Sequence, residues 1–84
     1  MDRLKYEIVE LLDGKRYFVL EDVFYEYDVY NLLLNLEDEN DIDITLQEVK
    51  GGKNVLTKVT DRELLKKIAP LFEEKLRNKV LGIN

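Results

Sequence analysis

The glycine pair Gly51-Gly52 constrains the fold more than any other feature of the sequence. Two adjacent glycines suit the positive φ angles of a tight hairpin turn. The stretch before the pair, residues 42–49, alternates apolar and polar side chains, and residues 54–59 after it are rich in β-branched side chains. Such alternation is typical of half-buried antiparallel strands. The sequence therefore predicts a β-hairpin centred on the two glycines.

Three further strands are predicted upstream, over residues 4–12, 16–25 and 29–36. Aromatic and β-branched residues dominate the middle stretch, as strands prefer. Polar breaks separate the strands: "DGK" at 13–15, "YEYD" between the second and third strands, and the charged turn "EDEND" at 37–41. Five strands joined by short turns in chain order predict an antiparallel meander.

The alternation also predicts which side chains are buried. In the third strand, Leu32 and Leu34 are expected to face the core, whereas Asn31 and Asn35 are expected to face solvent. In the first strand, three residues are expected to point inward: Leu4, Tyr6 and Ile8. In the second strand, four residues are expected to share one face: Tyr17, Val19, Val23 and Tyr25.

Residues 24–30 concentrate aromatic side chains around the "YEYD" turn. Tyr25 and Tyr30 are expected to be cross-strand neighbours, and such an aromatic pair contributes about 0.2–1 kcal/mol. The aromatic density is explained either by a thin core filled with large side chains or by a patch that faces a ligand. The sequence leaves both interpretations open.

A C-terminal helix is predicted over residues 61–80. Thr60 and Glu63 match a capping box at its start. Pro70 lies in its interior, so a kink or a break is expected near residues 66–70. The apolar residues that recur at helical spacing are Leu64, Ile68, Phe72, Leu76 and Val80.

These elements predict one α+β domain over residues 1–84, with an antiparallel β-meander of about five strands and one C-terminal α-helix packed on the sheet. The alternative is a winged-helix transcriptional regulator, in which residues 2–12 and 28–38 are helices and residues 44–60 form the wing. That alternative leaves hardly any room for the turn before its recognition helix. Its recognition stretch, residues 28–39, also contains no Lys or Arg that could contact phosphates. The sheet is therefore favoured.

Composition excludes several classes of function. The chain has no cysteine and no histidine, which removes disulfides, thiolate metal sites and the commonest general base. Residues 1–60 carry a balance of −7 and residues 61–84 a balance of +2, for a net charge of −5. An acidic body repels nucleic acid and suits a basic protein partner. Because no apolar run is long enough for a membrane span and the N-terminal stretch is charged, a cytoplasmic protein is expected.

Three motifs resemble parts of functional sites, but each lacks a feature that such a site needs. Ile42 stands where a calcium loop needs glycine. The glycine turns lack the rest of a phosphate-binding loop. Glu21 and Asp22 are strand neighbours expected to point to opposite faces, so they cannot share a substrate. No catalytic residue, metal or cofactor is therefore predicted, and we expect a protein that is not an enzyme. The side chains at calcium-loop spacing are Glu37, Glu39, Asp41, Asp43, Thr45 and Glu48.

The order of segments over roughly residues 8–75 resembles a known family. The matching residues are Tyr17, Val19, Leu20, Tyr25, Glu26, Tyr30, Leu33, Leu34, Asp61, Glu63 and Phe72. On these residues the chain resembles the YrzB-like family of small acidic bacterial cytoplasmic proteins, a domain of unknown function. The turn here reads "YEYD" where that family usually has a glycine. The resemblance implies a strand meander with a C-terminal helix, and it implies no activity.

A partner surface is predicted at the C-terminal end of the helix. A strand of about six residues spans about 20 Å and a twenty-residue helix about 30 Å, so the last two turns are expected to extend beyond the sheet. A homodimer through these turns, or another protein, is expected to cover the apolar residues there. The function hypothesis is a non-catalytic protein-binding or structural module, and a further alternative is an acidic inhibitor that mimics nucleic acid. The residues of the predicted partner surface are Leu65, Leu71, Leu76, Val80 and Leu81.

Overall fold

Five antiparallel strands in chain order form one sheet, and a single C-terminal helix packs on it, which confirms the predicted α+β class. A computed structural model describes residues 3–80. Each strand pairs with the next along the chain, so the sheet is a simple meander. The elements are β1 (Ile8–Glu10), β2 (Arg16–Tyr25), β3 (Asp28–Asn35), β4 (Asp38–Lys50), β5 (Lys53–Lys58) and α1 (Arg62–Val80).

Two of the hairpin turns use two residues with positive φ. Gly51 and Gly52 have φ angles of 57° and 77°, as the glycine pair predicts. In the β2–β3 turn the same role falls to Glu26 and Tyr27, with φ angles of 45° and 73°. Residues with a Cβ are disfavoured in this region by roughly 1–2 kcal/mol each. The β2–β3 turn is therefore strained in a way that the β4–β5 turn is not.

The acidic stretch 37–41 is not the turn that the sequence suggests. Strand β4 begins at Asp38, and Asn35 pairs with Asp38, so only Leu36 and Glu37 lie in the turn. The register shifts between Leu34 and Asn35, which places the extra residues of the acidic stretch in an irregular start of β4. Sequence polarity predicted a loop here, but cross-strand pairing with β3 extends the strand.

The helix covers one face of the sheet and forms the helix-side core with it. This core consists of Val23, Tyr30, Leu32, Ile68 and Phe72. Val23 and Tyr30 are direct partners across β2 and β3, so the predicted pairing of Tyr30 with Tyr25 is wrong. Tyr25 pairs with Asp28 instead and packs at the edge of the same core.

The helix runs from Arg62 to Val80 without the break that Pro70 led us to expect. Its start is capped by Asp61 rather than by Thr60. The Asp61 Oδ1 atom accepts hydrogen bonds from the backbone N–H groups of Glu63 at 3.0 Å and Leu64 at 3.4 Å. An aspartate at this position satisfies free backbone donors and also complements the positive end of the helix dipole.

A second core lies on the opposite face of the sheet. This far-side core consists of Leu11, Tyr17, Val19, Leu33 and Leu56. Because residues of the β1–β2 turn and of β5 meet in it, the sheet curls toward this face. The curl also buries Asn31 and Asn35, which are 0% and 5% exposed, so the expectation that they face solvent is wrong. Their amides bond to the Gln47 and Asp41 side chains at 2.8 and 3.0 Å.

A β-bulge in β2 divides its residues between the two cores. The register shifts between Val19, which pairs with Leu33, and Glu21, which pairs with Leu32. Tyr17 and Val19 therefore contribute to the far-side core, and Val23 contributes to the helix-side core. The expectation that these residues, with Tyr25, share one face is wrong, because an inserted residue reverses the alternation.

Strand β1 is shorter than the predicted 4–12. Tyr6 has a φ of 72°, which turns the chain before the strand begins. Tyr6 and Ile8 are 56% and 58% exposed, so they do not point inward as expected. Leu4 is half-buried against the far-side core. Backbone hydrogen bonds from Tyr6 N–H to Val19 and from Val19 N–H to Glu7, 2.8 and 2.9 Å long, still attach this segment to β2.

Candidate protein-binding surface

Four apolar residues form a continuous row across four strands. Ile8 pairs with Phe18, Phe18 with Leu34, and Leu34 with Ile42. Direct partners on antiparallel strands point to the same face, so all four share one side of the sheet. Leu34 lies two positions from Leu32 in β3, which places this apolar row on the helix-bearing face. The apolar row is therefore a continuation of the surface on which the helix packs.

The helix leaves the apolar row uncovered. Among residues 3–80, none of its members belongs to either core or packs against one. Ile8 and Ile42, at its two ends, are 58% and 54% exposed, and Phe18 and Leu34 are half-buried between them. Tyr6 extends the row toward the helix, because its ring stacks on Phe18 with centroids 6.3 Å apart. The result is an apolar strip that is exposed at both ends and half-buried in the middle.

Acidic side chains flank both ends of the apolar row. Glu7 and Glu10 are exposed beside Ile8 in the β1 segment. At the other end lies the acidic block, defined as Glu37, Asp38 and Glu39, which is exposed.

The acidic block is held in place by short hydrogen bonds. The Asn35 Oδ1 atom accepts from Glu37 N–H at 2.9 Å, and the Asp38 Oδ1 atom accepts from Asn40 N–H at 3.0 Å. Buried Asn35 therefore fixes the backbone on which these charges are displayed.

A cluster of ion pairs fastens the helix to the bulge in β2. Glu21 is buried and forms ion pairs with Lys5 at 3.1 Å and Lys79 at 3.4 Å. Buried Asp22 bonds to Arg3 at 3.0 Å, and its backbone carbonyl accepts from Lys75 at 2.7 Å. Lys79 also donates to the Tyr6 hydroxyl. These groups are occupied by one another, so the two carboxylates have a structural role.

Burial works against the charge of Glu21, yet its pKa lies below the ordinary value. Desolvation raises the pKa, but the Asp22 backbone N–H and the Lys5 ammonium group stabilise the carboxylate and outweigh it. The carboxylate is therefore ionised in the folded protein at neutral pH.

A second polar cluster surrounds Lys58 beside the far-side core. Its ammonium group lies 3.3 Å from Asp13 and 3.6 Å from Asp43, and 5.4 Å from the centre of the Tyr17 ring. Contact with Tyr17 and these carboxylates raises the Lys58 pKa, so the amine stays protonated and cannot act as a base. Burial and the neighbouring Asp41 raise the pKa of Asp43, whereas the Asn35 amide lowers that of Asp41. The cluster therefore joins the β1–β2 turn to β4 and β5.

The helix residues predicted to bind a partner have mixed environments. Leu71 and Leu76 are half-buried against the helix-side core, and Leu65 is half-buried. The side chain of Val80 and all of Leu81 lie outside the described residues. Lys75 and Lys79 contact β2, and Lys79 also contacts Tyr6. The helix therefore stays beside the sheet up to Lys79. The prediction of a partner surface at these residues stays untested.

The aromatic stretch 24–30 divides between the two interpretations. Tyr25 and Tyr30 pack with the helix-side core. Phe24 and Tyr27 are 70% and 94% exposed at the end of the hairpin. Sequence reasoning missed the apolar row, although Ile8 and Ile42 both lie in predicted strands. Cross-strand register, which aligns the four residues, is not visible in the local pattern.

No protein-family model, no curated protein and no solved structure matches the chain. Residues 3–80 contain no helix that is long and apolar enough to cross a membrane. The same residues contain no cluster of three or more His, Cys, Asp or Glu side chains with the arrangement of a metal site. Residues 28–35, which the winged-helix alternative assigns to its recognition helix, form strand β3 instead.

Proposed function

We propose that this protein is a non-catalytic protein-binding module and that the apolar row is its binding surface. The observation that supports this is the uncovered continuation of the helix-side face through Ile8, Phe18, Leu34 and Ile42. Exposed apolar surface costs about 25 cal/mol for each Å² in contact with water, so a partner that covers it gains that free energy. Contiguous apolar patches flanked by polar residues are typical of interaction sites.

The partner that fits this surface is a basic amphipathic helix. Four strands at about 4.8 Å spacing make the row roughly 14 Å long. A helix rises about 1.5 Å per residue, so apolar residues along roughly ten residues of helix match that length. The acidic block and Glu7 and Glu10 then face lysine or arginine side chains at the edges of the contact. The net charge of −5 favours the approach of such a partner at low salt.

The test uses a designed helical peptide of about 18 residues in which leucines occupy one face and lysines the other. Its affinity for the protein is measured by fluorescence anisotropy. The double variant Ile8→Asp with Ile42→Asp should bind at least tenfold more weakly, because each substitution removes about 1.5–3 kcal/mol of apolar burial. Circular dichroism checks that the variant is folded.

Two controls make the result specific. Leu12→Asp places the same charge at a residue that is 96% exposed and lies in the β1–β2 turn, outside the apolar row, so it should leave the affinity unchanged. A peptide with glutamates in place of lysines should bind weakly. Equal affinities for the wild-type protein and the folded double variant would remove the proposal.

A further inference from the structure

Leu12 projects into solvent from the β1–β2 turn, with 96% of its surface exposed. The neighbouring Leu11 points the other way and is buried in the far-side core. The turn is rigid at this point, because Leu11 N–H bonds to Lys15 at 3.1 Å, Gly14 N–H bonds to Leu11 at 3.0 Å, and Asp13 accepts from Lys15 N–H at 2.8 Å. A large apolar side chain is thus held outward on an ordered turn.

Two hollows lie on either side of Leu12, between the turn and strand β5. One has a volume of about 180 Å³ and includes Leu56, Thr57 and Lys58 in its wall. The other has a volume of about 130 Å³ and includes Glu10 and Asn54. Leu11, Leu12 and Leu56 line both hollows, so they form one apolar groove along β5. A cavity of about 150 Å³ holds a benzene molecule, so either hollow is close to the size that a leucine side chain requires.

We propose that this groove binds the same groove of a second copy of this chain, with Leu12 of each copy inserted beside Leu56 of the other. A projecting side chain next to a hollow of matching size is self-complementary under a two-fold axis, because each copy supplies both parts.

The polar ends of the groove support this antiparallel arrangement. Glu10 lies at one end, and Lys58 lies at the other beside its ion-pair partner Asp13. The two-fold axis brings Glu10 of each copy toward the Lys58 ammonium group of its partner, which is 40% exposed, so Glu10 and Asp13 share that one ammonium group. The contact involves one turn and one strand of each copy, so we expect a small interface and a weak, reversible dimer. Ile8, Phe18, Leu34 and Ile42 do not line the groove, so a dimer leaves the apolar row itself open, although Glu10 borders both surfaces.

Sedimentation equilibrium of the full chain from tens to hundreds of micromolar tests the proposal. The wild-type protein should show a reversible monomer–dimer equilibrium, and Leu12→Asp should weaken the dimer at least tenfold. Ile42→Asp introduces the same charge at another exposed apolar residue and should not change the equilibrium. A monomeric wild-type protein at hundreds of micromolar, or an unchanged dimer in Leu12→Asp, would overturn the proposal.

Disulfide trapping locates the contact, because the natural chain contains no cysteine. Leu12→Cys and Thr57→Cys are prepared as separate variants, mixed and oxidised. Every disulfide in the mixture links two chains and gives a species of twice the chain mass of 10.0 kDa. Peptide mass spectrometry therefore separates the disulfide between the two variants, whose yield is compared, from disulfides between two copies of one variant. A mixture of Leu12→Cys with Ile42→Cys is the matched control. Equal yields in the two mixtures would contradict the proposed arrangement, whatever the peptide experiment shows for the apolar row.

Discussion

Val19 and Glu21 lie two positions apart in β2 but point to opposite faces of the sheet. Val19 pairs with Leu33 and belongs to the far-side core, whereas Glu21 pairs with Leu32 on the helix side. In a regular strand two such residues share a face. The bulge between them lets one strand contribute to both cores, and it places the Glu21 carboxylate where Lys79 of the helix can reach it.

The far-side core should contribute more to stability than the half-buried apolar row. Leu33 is 0% exposed, so we expect Leu33→Ala to lower the free energy of unfolding by about 2–5 kcal/mol, through lost burial and the cavity that remains. Leu34→Ala, in the half-buried apolar row, should cost less. Urea denaturation followed by circular dichroism measures both. Similar losses for the two variants would show that the two faces are not assigned correctly.

Asn35 should be a stabilising residue although it is polar. Its side chain donates to Asp41 at 3.0 Å and accepts from Glu37 N–H at 2.9 Å, and the residue is 5% exposed. We expect Asn35→Ala to cost about 1–3 kcal/mol, because two partly buried hydrogen bonds and the packing of a buried side chain are lost. Exposed Asn40 is the matched control, and Asn40→Ala should change stability by less than about 0.5 kcal/mol. Chemical denaturation distinguishes the two.

A glycine in the β2–β3 turn should stabilise the protein. Tyr27 has a φ of 73° and is 94% exposed, so Tyr27→Gly relieves backbone strain and loses little packing. A gain of about 1 kcal/mol in unfolding free energy is expected. The reverse change, Gly51→Ala, should destabilise the β4–β5 turn, because its φ is 57° although nothing lies within 4 Å of an added Cβ. Thermal denaturation should therefore move in opposite directions for the two variants.

The ion pairs of Glu21 should make stability depend on pH in the acid range. Because the folded-state pKa of Glu21 lies below its ordinary value of 4.5, its contribution is fully present above that pH and is lost as the pH falls through the folded-state value. Glu21→Gln should therefore destabilise the protein at pH 7, and the difference from wild type should shrink in acid. Urea midpoints measured from pH 7 to pH 3 test this. A difference that stays constant with pH would exclude an electrostatic role.

The features that the sequence predicted are those with local signals. The pair Gly51-Gly52 predicts its turn because glycine readily adopts positive φ angles. The spacing of Ile68 and Phe72 predicts the buried face of the helix. The absence of Lys and Arg from residues 28–39 argues against the winged-helix alternative, and these residues indeed include strand β3.

The features that the sequence did not predict depend on pairing between distant residues. The bulge before Glu21 is set by the register with Leu32, and the burial of Asn31 follows from the curl of the whole sheet. The exposure of Ile42 depends on which part of the sheet the helix covers. The alternation of polar and apolar residues is the same whether one face or both faces become buried, so it could not distinguish these outcomes.

The contact between Tyr6 and Lys79 joins residues that are 73 positions apart in the chain. The meander, by contrast, is built from neighbouring hairpins that close over short loops. Because the entropy cost of closing a loop grows with its length, the hairpins can assemble before the last turns of the helix dock. Substitutions at Lys75 or Lys79 should consequently accelerate unfolding and leave the folding rate nearly unchanged. The contacts at the helix end thus affect the unfolding rate, whereas formation of the hairpins determines the folding rate.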